Sequence, residues 1–142
     1  MSGWWVAAGC VGLFLIFAFF AARSGKRRAA ALAATRISPS REEFIALLSD
    51  DCEPDIAAFV WTIFTEEYSY WDAGLTPHPD DNYLGDMPIN PENEQDWLGD
   101  FCAAEDLRPK DFPHWPEGWK TTVRNFARWL SEARRSIVRA VA

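Results

Sequence analysis

Apolar positions along the chain fall into two regimes. From Trp4 to Ala22 they are unbroken: WWVAAGCVGLFLIFAFFAA, 19 residues without a charge. As a helix rising about 1.5 Å per residue this stretch is roughly 28 Å long, close to the ~30 Å hydrocarbon core of a bilayer. Beyond it, apolar residues recur at helical spacing between polar breaks. Ser40 and Glu43 form a capping-box pattern, with Ser38 before Pro39 as an alternative cap, and Phe44, Leu47 and Leu48 share one face of the short helix that follows. A longer helix is expected from about Pro54 to Tyr70. Proline suits its first turn, and Asp50, Asp51, Glu53 and Asp55 favour its N-terminus. Ile56, Val60, Ile63, Phe64 and Trp71 recur along it, with Phe59 beside them.

Gly74, Pro77, Pro79, Gly85 and Pro88 then predict a long irregular loop. Asn90-Pro91-Glu92 reads as cap, first-turn proline and first-turn acid of a helix to about Ala104 that buries Trp97, Leu98 and Phe101. Pro109, Pro113 and Pro116 allow one short turn at most, packed down by Phe112, Trp115 and Trp119. A last helix is expected from about Thr121 to Val138, with Val123, Phe126, Ala127, Leu130, Ala133 and Ile137 as its apolar stripe. No strand and no internal repeat stands out. The expected fold is all-α: one N-terminal transmembrane helix, then a small irregular helical bundle.

Three readings of the apolar run compete. A secretory signal wants positive charge before it and a small-residue cleavage site after it, but the basic cluster lies on the other side. A lipidation box ending at Cys10 has too little apolar sequence before it and no preceding basic residue. An uncleaved anchor fits best, and it divides the chain into an anchor (1–22), a basic juxtamembrane linker (23–37) and a helical domain (38–142). Arg23, Lys26, Arg27, Arg28 and Arg36 follow the run with no acid before Ile37. The positive-inside rule therefore places the domain in the cytoplasm, on the inner (plasma) membrane. Trp4 and Trp5 suit the outer interface, and Arg23, Lys26, Arg27 and Arg28 the anionic headgroups inside.

Charge is zoned. The chain carries −7, yet residues 1–36 hold 5 basic groups and no acid. Between Glu42 and Glu117 stand 20 acids against Arg108 and Lys110. Lys120, Arg124, Arg128, Arg134, Arg135 and Arg139 then face Glu132 alone. An acidic body argues against nucleic acid, whose phosphates need cationic neutralisation. Two readings stay open: a surface for a basic protein partner, or a solvated acidic surface partly offset by the basic C-terminal helix.

Signs of chemistry are sparse. Cys52 and Cys102 are isolated and read as buried apolar residues in a reducing compartment. His78 and His114 are the two histidines and lack ligand spacing for a metal. Asp80 to Gly85 resembles a calcium loop, but Leu84 takes a ligand position and Pro91 stands where the bidentate Glu belongs. Glu66-Glu67 and Glu105-Asp106 are adjacent acids without sign of a buried catalytic pair. No nucleophile triad or phosphate loop is present, so the chain is read as a non-enzyme requiring no cofactor. Trp61, Trp71, Trp97, Trp115, Trp119 and Trp129 read as core, with some left part-exposed to anchor a partner.

The order of elements carries one resemblance. A long helix, a loop ending in Tyr83-Leu84-Gly85-Asp86, a helix through Leu98 and Phe101, a proline-rich turn, and Thr121-Thr122-Val123 opening a last helix through Leu130 resemble the acyl carrier protein fold. In particular they resemble an acyl-carrier-like bacterial family of unknown function that lacks the phosphopantetheine serine. The likeness spans about Pro54 to Ser136. True carriers bear that serine, after an Asp, at the head of the second helix. Here the region reads Ile89-Asn90-Pro91-Glu92-Asn93, and no serine occurs between Ser69 and Ser131. The resemblance thus implies a degenerate carrier without thioester chemistry. It also implies an acidic helix face, Glu92, Glu94, Asp96 and Asp100, of the kind that docks basic partner surfaces. The alternative is an immunity-type or structural membrane-complex protein binding through a tryptophan-rich apolar surface.

Overall fold

The apolar run and the basic stretch after it form one helix. In the computed structural model, which describes residues 2–72 and 74–142, helix α1 runs Ser2–Thr35. Met1, at the head of the expected anchor, and Ala73, in the expected loop, lie outside the described residues. At about 1.5 Å per residue α1 is roughly 50 Å long. It is long and apolar enough to cross a membrane, and none of its apolar window is buried in the protein. Its basic half behaves differently. Gly25 and Ala29 are buried and Leu32 packs on the core, so residues 23–35, expected as a linker, are seated on the body.

Helix α2, Arg41–Leu47, begins with the predicted capping box. The Glu43 N–H donates to Ser40 Oγ at 3.2 Å, and the Ser40 N–H donates to Glu43 Oε2 at 2.8 Å. Phe44 and Leu48 are buried, but Leu47 is exposed and Ile45 packs inward instead. Helix α3, Pro54–Trp71, buries Ile56, Ala57, Val60, Phe64 and Tyr68. Phe64 is the hub of the core. Its ring lies 4.9–6.3 Å, centroid to centroid, from Tyr68, Tyr83, Trp97 and Phe126.

The segment between α3 and the next helix is irregular yet largely interior. Leu75, Pro77, Pro79, Asp81 and Tyr83 are buried, and the residues between them lie nearer the surface, an alternation proper to extended chain. Its backbone closes the head of the last helix. Asn82 and Thr122 form an isolated antiparallel bridge. The Val123 and Arg124 N–H groups, otherwise unpaired at a helix start, donate to the Asp81 and Pro79 carbonyls at 3.0 and 2.8 Å.

Helix α4 is Asn93–Glu105, starting later than the Asn90 cap predicted. Asn90 caps a turn rather than the helix: its Oδ1 accepts from the Glu92 N–H at 3.0 Å, and its carbonyl accepts from the Asn93 N–H at 3.0 Å. Trp97 and Phe101 are buried, while Leu98 is only part-buried. A 3-10 turn at Pro109–Asp111 is all the proline-rich segment forms. Helix α5 is Val123–Val141, capped by Thr122 Oγ1, which accepts from the Asn125 N–H at 3.1 Å. Of its expected apolar stripe, Val123, Phe126, Ala127, Leu130 and Ala133 are buried, while Ile137 is only part-buried.

Candidate functional site: the acidic face of α4

Helical geometry splits the four acids of the expected face. At about 100° per residue, Glu92, Asp96 and Asp100 fall within about 80° of one another. All three are exposed. Glu94 is turned about 200° from Glu92, toward the body, where it is half-buried. Burial pushes its carboxyl above the ordinary value, opposed by the Tyr83 hydroxyl beside it. Among the described residues that hydroxyl has no partner at hydrogen-bonding distance. The structure thus brings Glu92, Asp96 and Asp100 together and sets Glu94 apart from them.

Ion pairing sorts the acids further. Helix α5 takes those around the head of α3. Arg134 binds Asp55 at 2.6 Å and Glu105 at 3.3 Å, Arg135 binds Glu53 at 2.7 Å, and Arg124 binds Asp51 and Asp80. The Arg134 hydrogen bond holds the Asp55 carboxyl below its ordinary value. Burial would raise Glu53, but the Ser131 hydroxyl and Arg135 bring it lower. Glu92, Asp96 and Asp100 enter no ion pair among the described residues. The basic C-terminal helix thus offsets one acidic patch and leaves the α4 stripe uncompensated.

Each adjacent acid pair has a member bonded within the fold. Glu67 Oε1 accepts from Asn93 Nδ2 at 3.2 Å, joining α3 to the head of α4, and burial raises its carboxyl. Glu105 pairs with Arg134, and Asp106 holds the left-handed end of α4 at φ 56°.

The basic residues after the apolar run also separate. Arg23, Lys26 and Arg27 are exposed, with no hydrogen-bond or ion-pair partner among the described residues. Arg28 instead donates to the Gly85 and Met87 carbonyls. Trp4 and Trp5 are fully outward, 87% and 81% exposed.

Arg36 and Asp81 form the junction that periodicity missed. Arg36 Nε and one terminal nitrogen each reach the Asp81 carboxylate at 2.7 Å, and that nitrogen also reaches the Thr76 carbonyl at 2.7 Å. Asp81 is 3% exposed and also accepts from the Tyr68 hydroxyl at 2.8 Å and the His78 N–H at 3.0 Å. One signal was available: in the alternation from Leu75 to Tyr83, Asp81 is the charged residue at an inward position. The calcium-like loop is thus satisfied from within, Asn82 Oδ1 accepting from the Thr121 hydroxyl and the Gly85 N–H at 2.7 and 2.9 Å.

His78 Nδ1 accepts from the Asp80 N–H at 3.1 Å. Among the described residues no cluster of three or more His, Cys, Asp or Glu has metal-holding geometry. Cys52 and Cys102 are buried free thiols, and burial, with Glu53 next, pushes Cys52 up to about 12. Protonated thiols are poor nucleophiles. Of the tryptophans, Trp97 is buried, and Trp61, Trp71, Trp115, Trp119 and Trp129 are half-buried. Leu98, Phe112, Trp115 and Trp129 line an open groove of about 540 Å³ whose rim includes Glu94.

The chain matches no protein-family model, no curated protein and no solved structure.

Proposed function

We propose that this protein is a single-pass, membrane-anchored interaction module without catalytic activity. In this reading α1 spans the inner membrane through Trp4–Ala22, and the helical body lies in the cytoplasm as a degenerate acyl-carrier-like domain. It binds a basic protein surface through Glu92, Asp96 and Asp100. The observation that carries the reading is the sorting of the acids. Those around the head of α3 are neutralised by α5, whereas three carboxylates on one side of α4 stand exposed and without an ion-pair partner among the described residues. The order α3, loop, α4, 3-10 turn, α5 supports the carrier-like description. The serine-free Ile89–Asn93 segment, part of it the turn into α4, supports the absence of a phosphopantetheine arm.

Reversal of Glu92, Asp96 and Asp100 to Lys tests the face. The triple variant is expected to lose its partner in a pull-down from solubilised membranes, and Glu94→Lys to lose far less. Full capture by the triple variant would dismiss the face. An intact mass carrying a phosphopantetheine adduct would overturn the degenerate-carrier reading.

The groove between α4 and the proline-rich turn favours a second reading, an immunity-type or structural membrane-complex protein that binds through Leu98, Phe112, Trp115 and Trp129. Salt separates the two. Capture that fades as ionic strength rises belongs to the acidic face, and salt-resistant capture to the groove.

A further inference from the structure

We infer that the C-terminal end of α3 is a second membrane contact, seating Trp71 and Tyr70 in the headgroup layer of an anionic lipid surface. The inference rests on the span proposed for Trp4–Ala22. It follows from how the body is fastened to α1. Gly25 is buried under the Trp71 ring so closely that an added methyl group would meet it at 2.3 Å. Ala29 is buried one turn further on, and Arg28 and Arg36 clamp the loop below α3. The body is therefore held against a continuous helix at a fixed height, not swung from a tether.

That height is set by helix rise. Gly25 stands three residues past Ala22, about 4.5 Å along the axis. The headgroup layer on each side of the hydrocarbon is roughly 5–7 Å thick. The Trp71 ring, packed on Gly25, falls within it. Tyr70 is T-shaped to Trp71 at 5.1 Å between centroids, which keeps the two rings at neighbouring depths. It is 79% exposed, an aromatic that the described residues leave largely uncovered. Tyr and Trp are the side chains that prefer the membrane interface, having an apolar ring and a polar tip. Arg23, Lys26 and Arg27 stand on the side of α1 away from the body, exposed and unpaired, and supply the charge complement for anionic lipid. Asp72, next to Trp71, limits the contact to the headgroups and keeps it out of the hydrocarbon.

Depth labelling of the full-length chain tests this. With Cys10→Ser as background, Tyr70→Cys, Phe14→Cys and Asp50→Cys each receive a polarity-sensitive fluorophore, and the chain is reconstituted in vesicles containing phosphatidylglycerol. Cys52 and Cys102, being buried, stay unlabelled in the folded chain. The expected result is a blue shift at position 70 relative to position 50, loss of quenching by an aqueous quencher, and quenching by a headgroup-attached one. A label at 14 buried in hydrocarbon with a label at 70 as wet as that at 50 overturns the contact and leaves the span standing. A wet label at 14 overturns the span and the contact together.

Discussion

Asp81→Ala is expected to be the most damaging single change in the loop. It removes the acceptor of two Arg36 hydrogen bonds, of the Tyr68 hydroxyl and of the His78 N–H in one step. Tyr68 is fully buried, so its hydroxyl would be left without water, at a cost of about 1–3 kcal/mol. Arg36 is 15% exposed, and stripping a buried cation of its partner costs about 3–5 kcal/mol. These penalties share one carboxylate and do not add, so a loss of about 3–5 kcal/mol is expected, a large part of a typical domain's total of about 5–15. Urea unfolding in mild detergent, followed by tryptophan fluorescence, measures it. The double variant Asp81→Ala/Arg36→Met should recover part of the loss, because the stranded charge is gone and replacing both members of a buried pair by apolar groups is often near neutral. A single-variant loss below about 1 kcal/mol, or a double variant showing the plain sum of two losses, would refute the reasoning.

Phe64→Ala empties the centre of the aromatic cluster and should cost about 3–5 kcal/mol in the same urea assay. Gly25→Val forces α1 from the Trp71 ring and should cost about 1–3 kcal/mol, read as faster proteolysis at the α1–body junction. Acid unfolding follows the carboxyls held low. Asp55 and Glu53 stabilise the fold fully above the ordinary carboxylate range of about 4, and lose that contribution as pH falls through their lower folded values. Arg134→Met should therefore lower Tm at pH 7 and have little effect near pH 2. Glu94 has the opposite sign. Its folded value is raised, so the neutral form is the one the fold favours, and Glu94→Gln should raise Tm at neutral pH and lose that advantage below about pH 4.

Local chemistry explains what was readable from residues alone. The Ser40–Glu43 box and Pro54 mark helix starts whose signals lie within four residues of the helices they begin. The α5 stripe repeats often enough to place the helix to within a few residues. The head of α4 was misplaced because Asn90 satisfies the backbone of a turn in the way a helix cap would. Glu94 belongs to the face that the carrier resemblance implies, although helical rotation sets it on the opposite side from Glu92. Which partners Arg28 and Arg36 take is beyond periodicity for another reason. The Arg36–Asp81 and Arg28–Met87 contacts span 45 and 59 positions, and a pairing of that kind leaves no periodic trace. Arg23, Lys26, Arg27 and Arg28 consequently read as one lipid-facing cluster, although Arg28 fastens the body to α1.

The central claim is that α1 crosses the membrane with the body on the inner side. Cysteine labelling in intact cells tests it most directly, using a membrane-impermeant maleimide on Gly3→Cys and Asp50→Cys in a Cys10→Ser background. Labelling of position 3 from outside, with position 50 reached only after lysis, is the predicted result. Labelling of position 50 in intact cells, or recovery of the full-length chain in the soluble fraction, would contradict it.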